Sequence, residues 1–324
     1  MTGQHSSFAS WFRFHHGIFY CIAASLLYTT SNSLLRYLVD LDAHRLVAMA
    51  GREVIAALVL GPWVLWRCIR DSQFRPSWKM VLLLTATGLV TMTGSYLYYL
   101  GFEVIGMGVT IALVFSSMLV VTAVLGRIFL KEQLTKLTFT ALLLLIMAIA
   151  MVSLGVPSNE NAASENAAAS FLPCPEFELT VPAAVISSIL AGVAFAILNI
   201  VLRYAGKQKV HIAITMVFIT GIAAIVMYWG AYNQGGIAAF AETTTGEWQI
   251  IGLLGLCNLF AFFCLNKGFK LTRAIQANIT TSSQVALAVV MGVLFFGETT
   301  TLWLYAGVAA TIAGIVLIGC GSEE

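Results

Sequence analysis

Charged side chains are scarce in this chain of 324 residues. Asp, Glu, Lys and Arg make up only 10% of it, whereas 59% of the residues are hydrophobic. A typical soluble domain carries about 25% charged residues. Because this chain has too little charge to cover a water-facing surface, we expect an integral multi-pass membrane protein whose main solvent is the lipid bilayer.

Motifs of metal binding and of catalysis are also missing from the sequence. The six cysteines contain no CxxC pair, no HExxH or DDxxD motif occurs, and the five histidines lie at the ends of apolar segments, in loops or in the N-terminal tail. We therefore expect no metal, no cofactor and no enzymatic activity. The net charge of only +2 gives no indication of a nucleic-acid partner.

Ten apolar runs are long enough to cross a bilayer, which takes roughly 20 residues. They cover residues 16–36, 46–66, 80–100, 106–128, 137–156, 181–202, 211–232, 248–269, 274–296 and 301–320. The first run ends in Arg36 without a small-residue cleavage site, so we interpret it as an uncleaved span and not as a signal peptide. Backbone polar groups in lipid must be satisfied within each span, which predicts an all-α membrane protein.

The distribution of basic residues predicts the orientation. With a cytoplasmic N-terminus and ten spans, 14 of the 17 Lys and Arg residues fall on the cytoplasmic side, as the positive-inside rule favours. Both termini are then cytoplasmic, and we expect the plasma (inner) membrane. The polar, acidic segment SNENAASENAAAS lies within residues 157–179. It predicts a flexible external linker between domains 1–156 and 180–324.

The two halves of the chain repeat each other. The stretch SNSLLRY at 31–37 is matched by ILNIVLRY at 197–204, which pairs three polar positions at an offset of 167: Asn32, Arg36 and Tyr37 with Asn199, Arg203 and Tyr204. After a one-residue slip, Ser116 and Ser117 match Ser282 and Ser283 at an offset of 166. Because five spans is an odd number, the two halves must enter the membrane from opposite sides. Two inverted five-helix repeats are an architecture of secondary transporters.

Three segments carry a resemblance to a known family. The fourth and ninth spans end in LGRIFLKEQLT (125–135) and MGVLFFGETTT (291–301), and the second span contains RLVAMAGREVIAALVL (45–60). These features resemble the drug/metabolite transporter superfamily, in particular its ten-span EamA branch. The resemblance implies transport of a small organic metabolite, with export as the expected direction. Members commonly have proline in the fourth and ninth spans, where this chain has Leu119 and Val285, so no proline kink is expected.

Arg52 and Glu53 lie about seven residues inside the second span. Charges within a bilayer are costly and usually face a cavity or a partner. Arg52 is a candidate counter-charge for a substrate carboxylate or phosphate, and Glu53 is a candidate proton-coupling group; alternatively, Arg52 pairs with a carboxylate or with carbonyls to fix helix packing. Since adjacent helical residues do not face each other, we expect the two side chains to serve different neighbours.

Polar side chains recur at helical spacing in several spans, and the segment QANITTSSQ (276–284) is polar all round. At least one of its faces must line water or another helix. The candidate substrate-binding residues are Asn32, Arg52, Tyr96, Tyr99, Ser117, Asn199, Asn258, Asn278, Ser282 and Gln284. For serine and threonine, the alternative is that they connect helices. For the tyrosines, it is an aromatic belt at the membrane interface.

These features favour a secondary transporter that moves an amino-acid-like or amphipathic drug-like compound by alternating access. A nucleotide-sugar or phosphorylated-sugar antiporter is the alternative, but it requires several basic residues facing the cavity. Only Arg52 is clearly available, with Lys267 and Lys270 as further possibilities. A non-transporting scaffold or pore is a third hypothesis. A row of small residues, Ala306, Ala310 and Gly314, predicts close packing and a possible homodimer.

Overall fold

The computed structural model describes residues 3–41, 44–71, 74–105, 107–129, 181–272 and 274–296, with short helical stretches within 139–151 and 302–313. For some of these, including residues 3–15, only the backbone is described. Within this part of the chain all regular secondary structure is helical. Most of the predicted fifth and tenth spans, the linker at 157–179 and Gly314 lie outside the described residues.

Ten helices organise the described residues. They are α1 (Gly3–Asp40), α2 (Arg45–Arg70), α3 (Trp78–Ile105), α4 (Met107–Phe129), α5 (Val181–Lys207), α6 (Ile212–Gly235), α7 (Ala238–Ala241), α8 (Thr245–Leu271), α9 (Ala274–Thr281) and α10 (Ser283–Phe296). Six of them, α1, α2, α3, α5, α6 and α8, contain segments long and apolar enough to cross a membrane. The expectation of a helical multi-pass membrane protein is confirmed.

Helix ends outside the apolar segments carry recognisable caps. Thr244 and Glu247 form a capping box at the start of α8, in which Glu247 Oε2 accepts from the Thr244 amide at 2.7 Å and Thr244 Oγ1 accepts from the Glu247 amide at 3.3 Å. At the start of α6, His211 Nδ1 accepts from the Ala213 amide at 3.2 Å. Gly236 ends α6 at a φ of 59°, a conformation that glycine adopts without strain. The two N-terminal caps satisfy amides that the helices themselves leave unpaired, while at the end of α6 the Gly236 amide donates to the carbonyl of Tyr232.

The packing of the helices follows the sequence repeat. Helix α1 packs along α8 as α5 packs along α3, and α2 contacts α8 as α6 contacts α3, while α2 and α6 pack against each other. The offset of 167 residues relates the members of these pairs. The two halves are therefore arranged around a pseudo-twofold axis.

The directions of the helices show that the repeat is inverted. Gly17, near the start of the apolar part of α1 (His16–Leu38), approaches Thr272, just after the end of α8, so α1 and α8 run in opposite directions. Arg203, near the end of α5, donates to the carbonyl of Phe269 near the end of α8, so α5 and α8 end on the same side. It follows that α1 and its repeat partner α5 run in opposite directions.

Close helix contacts are repeated across the axis. A Cβ atom added at Gly101 would lie 2.6 Å from Ser188 Oγ, and one added at Gly268 would overlap with Cys21 Sγ. Gly101 and Gly268 are 167 residues apart, as are Cys21 and Ser188. In both halves a glycine therefore lets the third helix of one repeat approach the first helix of the other.

The fourth and ninth spans differ in continuity. Helix α4 runs unbroken through Leu119, in agreement with the absence of proline there. The ninth span is interrupted at Ser282, between α9 and α10, although Val285 also replaces the usual proline. An interruption in this span therefore does not depend on proline.

One end of the helix bundle is basic. Three helices end here with basic residues in their last turn. These are Arg67 and Arg70 on α2, Lys207 on α5 and Lys270 on α8. Lys270 Nζ donates to the carbonyl of Val210 in the turn between α5 and α6, at 2.6 Å. We refer to this end as the basic end, and to the other, which carries the capping box at the start of α8, as the opposite end.

Candidate functional site: a cavity on the pseudo-twofold axis

A cavity of about 130 Å³ lies between the helices, and every long helix of the described part contributes to its lining. Its polar lining residues are Tyr28, Asn32, Arg52, Glu53, Thr91, Ser95, Tyr98, Asn199, Thr220, Asn258, Thr281 and Gln284. Its apolar lining residues are Val114, Phe115, Met118, Phe195, Leu198, Ile219, Phe262 and Leu265. The cavity therefore combines polar groups with a substantial apolar surface.

The lining residues are related by the sequence repeat. An offset of 167 residues connects seven pairs, namely Tyr28 and Phe195, Asn32 and Asn199, Arg52 and Ile219, Glu53 and Thr220, Thr91 and Asn258, Ser95 and Phe262, and Tyr98 and Leu265. An offset of 166 connects two more pairs, Phe115 with Thr281 and Met118 with Gln284. Eighteen of the twenty lining residues thus form matched pairs. The cavity lies on the pseudo-twofold axis, where the two repeats meet.

The matched positions are chemically unequal, which gives the cavity two different walls. The polar wall holds Arg52 on α2 together with Ser95 and Tyr98 on α3. The repeat partners of these three residues are Ile219, Phe262 and Leu265, all apolar. Because the pseudo-twofold axis relates the two sets, a charged wall faces an apolar wall across the cavity.

Arg52 and Glu53 form an ion pair in the polar wall. Arg52 Nη2 lies 2.9 Å from Glu53 Oε1, and only 11% and 12% of the two side chains are exposed. The prediction that the two side chains serve different neighbours is therefore wrong. Their Cβ atoms point to different sides of the helix, but the long arginine side chain reaches round to the carboxylate, and the low dielectric favours pairing.

Two neighbouring helices hold this ion pair in place. Arg52 Nη2 lies 3.2 Å from Ser95 Oγ on α3. The side-chain amide of Asn258 on α8 donates to the carbonyl of Arg52 at 3.3 Å and to Glu53 Oε2 at 3.4 Å. Helices from both repeats thus fix the charged groups against the cavity, and a group that enters it meets a positive and a negative charge side by side.

The comparison with protein families decides what kind of protein carries this cavity. The model of the EamA-like transporter family matches the chain twice, over residues 15–154 and 182–320. The chain belongs to the EamA-like transporter family. The resemblance to the drug/metabolite transporter superfamily is confirmed, and the two matches correspond to the two repeats.

Solved structures support the fold of this EamA-like protein. A crystal structure described only as that of a protein superposes with a TM-score of 0.64. It is 12% identical, and the alignment covers 95% of this chain and 96% of the other. At this identity the likeness shows the fold alone. The comparison with curated proteins gives no match.

The structure brings together six of the residues singled out from the sequence. Asn32, Arg52, Glu53, Asn199, Asn258 and Gln284 all line the cavity. Four others lie outside the lining, namely Tyr96, Tyr99, Ser117 and Ser282. Ser117 and Ser282 instead donate to backbone carbonyls of their own span, as serine often does in helices. The side chain of Asn278 lies outside the described residues.

Tyr98 lines the cavity in place of its neighbours Tyr96 and Tyr99, and its hydroxyl lies 3.4 Å from Asn32 Nδ2. Helical spacing contains the signal for this choice. Thr91, Ser95 and Tyr98 follow one another at i, i+4 and i+7, which places them on one helix face. Tyr99 is 3% exposed and packs in a separate apolar cluster.

Proposed function

We propose that this protein is a secondary transporter that moves a small amphipathic zwitterion of amino-acid type by alternating access. One observation carries the proposal: the cavity lies where matched residues of two inverted repeats meet. In inverted-repeat transporters the substrate site lies near the bilayer midplane at the repeat interface, and one repeat rocks against the other around it. A cavity on the axis is the position that both conformations share.

The two walls support a zwitterionic cargo with an apolar tail. A carboxylate on the cargo would pair with Arg52, and an ammonium group would pair with Glu53. Such a molecule replaces the ion pair of the empty cavity with two new pairs, so that neither buried charge is left without a partner. The facing wall, which includes Phe262 and Leu265, would cover the apolar tail.

The same lining argues against a nucleotide sugar or a phosphorylated sugar. Within the described lining Arg52 is the one basic residue, and Glu53 neutralises it. Lys267 lies over the rings of Tyr20 and Phe263 and outside the lining. Lys270 also lies outside the lining. The cavity volume of about 130 Å³ is below the roughly 300–1,000 Å³ of drug-sized sites.

The topology we propose has ten spans with both termini cytoplasmic, in the plasma membrane. The basic end of the bundle supports this orientation, because basic residues collect on the cytoplasmic side. We further propose efflux as the direction of transport. Everted membrane vesicles test this direction. Their cytoplasmic face points outward, so that efflux from the cell appears as uptake into the vesicle.

Transport into proteoliposomes tests the proposal. We would reconstitute the purified full-length protein into proteoliposomes that are loaded with one unlabelled compound and measure counterflow of the same compound in labelled form. The compounds are L-valine, UDP-glucose and glucose 6-phosphate. Two analogues of valine each lack one charge: isobutylamine has no carboxylate, and isovalerate has no ammonium group. We expect counterflow of valine, with both analogues competing about tenfold or more less well, since each leaves one buried charge unpaired.

Two matched pairs of variants locate the effect. Arg52→Gln and Glu53→Gln should each reduce valine counterflow, whereas Arg127→Gln and Glu242→Gln, exposed residues outside the cavity, should not. Counterflow of UDP-glucose or glucose 6-phosphate in place of valine would favour the sugar-antiporter alternative. Failure of all these probes would overturn the proposed cargo class.

A further inference from the structure

The interruption of the ninth span consists of one tight turn next to the cavity. The Ser282 amide donates to the carbonyl of Ile279 at 3.2 Å, and the Val285 amide donates to the carbonyl of Ser282 at 2.9 Å. Both bonds reach three residues back, whereas those of an α-helix reach four. The turn separates Thr281 from Gln284, both of which line the cavity.

A contact from the other repeat reaches this turn. The hydroxyl of the fully buried Ser25 on α1 is shared between two carbonyls, that of Cys21 in its own helix at 3.0 Å and that of Thr281 at 3.2 Å. In a continuous α-helix that carbonyl would accept from the Val285 amide, which here donates to Ser282. Ser25 thus supplies a donor to a carbonyl at the point where the helix is interrupted.

The first half of the molecule has no equivalent of this contact. The repeat partner of Ser25 is Gly192, which has no hydroxyl to donate. Helix α4, the counterpart of α9 and α10, runs without interruption from Met107 to Phe129. The interrupted ninth span is therefore a place where the two repeats differ in both sequence and structure.

Gln284 is the side chain that the interruption presents. It lies in the first turn of α10, is 8% exposed and lines the cavity. It makes no hydrogen bond with any residue that the structure describes. Because Gln284 lines the cavity, the partner of its side-chain amide is expected to arrive from the cavity, and an amide left without a partner there is unfavourable. Its repeat partner, Met118, is apolar.

The surroundings of Gln284 favour an oxygen atom as that partner. One of the first amides of α10, that of Val285, already donates to the carbonyl of Ser282, and the helix dipole adds a partial positive charge at this end. The side-chain amide of Gln284 contributes two further N–H donors. Gln284 therefore offers the cavity two N–H donors beside the partial positive charge of the helix start, together with the acceptor oxygen of its own amide.

We propose that Gln284 is a specificity-determining residue that donates a hydrogen bond to an oxygen on the side chain of the cargo, and that Ser25 is the positioning residue that holds it there. This inference rests on the proposed function, in which Arg52 and Glu53 bind the charged groups of the cargo. The oxygen bound by Gln284 is then a second polar group, such as a hydroxyl, at the edge of an otherwise apolar tail.

L-threonine and L-valine test this inference, because they differ by a hydroxyl in place of a methyl group at nearly constant volume. Binding of each to the purified full-length protein in detergent would be measured by calorimetry. We expect the wild type to bind threonine about tenfold more tightly than valine, as one hydrogen bond in a water-excluded site provides. Gln284→Met, which introduces the residue found at the repeat partner, should reduce this preference to about twofold or less.

Control variants separate a role in specificity from a role in folding. Gln276→Met makes the same change at another buried glutamine of the ninth span, outside the lining, and should keep the wild-type preference. Ser25→Ala should lower the preference, and Ser25→Cys, nearly isosteric with a weak S–H donor, should restore part of it. Should Gln284→Met fail to fold, Gln284→Asn withdraws the amide by one methylene and should lower the preference in the same way.

The outcomes distinguish this inference from the function on which it rests. If the wild type binds both amino acids and the Gln284 variants keep its preference for threonine, the role of Gln284 is overturned and the proposed function stands. A wild type that binds both equally well overturns it too. If the wild type binds neither amino acid, the proposed cargo class is wrong, and the role of Gln284 falls with it.

Discussion

The guanidinium group of Arg52 and the carboxylate of Glu53, side chains of adjacent residues, form an ion pair 2.9 Å long inside a membrane-spanning helix. Each side chain neutralises the other in a segment where a charge without a partner is costly. Removal of one partner alone should therefore cost more stability than removal of both.

We predict that Glu53→Gln and Arg52→Gln each destabilise the protein more than the double variant does. Each single substitution leaves one charged side chain buried without its partner, which costs about 3–5 kcal/mol. The double variant leaves no such charge. Unfolding in detergent at pH 7 measures the three free energies. Strictly additive losses would show that the two side chains are not coupled.

A second prediction concerns the contact between α5 and α4. A Cβ atom added at Gly192 would overlap with Ser117 Oγ and with the carbonyl oxygen of Val114. Since a backbone carbonyl cannot rotate away, Gly192→Ala should lower the free energy of unfolding by about 1–3 kcal/mol. Gly61 on α2 has no atom within 4 Å of the corresponding position, so Gly61→Ala should be neutral or stabilise α2 by about 0.5 kcal/mol.

The glycine at 268 provides a contrasting case, because the obstacle there is a side chain. An added Cβ would overlap with Cys21 Sγ, while the nearest backbone atom, the Gly17 carbonyl oxygen, would lie at an ordinary 3.5 Å. The loss caused by Gly268→Ala should therefore be largely recovered in the double variant with Cys21→Ala. For Gly192→Ala, addition of Ser117→Ala should recover little. Equal recovery in both cases would contradict this account of the two contacts.

A third prediction concerns orientation. We expect Lys209, in the turn between α5 and α6, to face the cytoplasm and Glu242, after α7, to face the exterior; both are exposed. In a variant without the native cysteines, Glu242→Cys should react with an impermeant maleimide in intact cells. Lys209→Cys should react only after lysis. The reverse pattern would show that the basic end faces outward.

The sequence predicted the elements that depend on periodicity and on the repeat. The polar matches of Asn32 with Asn199 located two lining residues from opposite halves, because an inverted repeat brings equivalent positions to its own axis. Composition and periodicity similarly predicted the long apolar helices, since a bilayer leaves the backbone few alternatives.

Features that depend on individual tertiary contacts could not be predicted from the sequence. The interruption at Ser282 has no proline to mark it, and its contact with Ser25 joins residues that are 256 positions apart in the sequence. The ion pair of Arg52 with Glu53 depends on the length of the arginine side chain, which Cβ directions do not reveal.

The last prediction concerns the pH dependence of stability at the basic end, where His211 caps α6. Its ring packs against those of Trp63 and Phe74, with centroids 5.2 Å and 5.1 Å away. Partial burial lowers the pKa of His211, and the positive charges of Lys270 and Arg67 lower it further. Protonation would also remove the acceptor that Nδ1 offers to the Ala213 amide.

A histidine whose pKa is lowered on folding opposes folding once it is protonated. Stability linked to His211 should be complete above the unfolded pKa of about 6.5 and be lost as the pH falls through the lower folded pKa, because the unfolded chain then binds more protons. His211→Asn, which keeps a capping acceptor but does not titrate, should flatten the fall of Tm below pH 6.5. Lys270→Met should reduce that fall by removing a nearby positive charge. An unchanged pH profile in both variants would exclude His211 as its source.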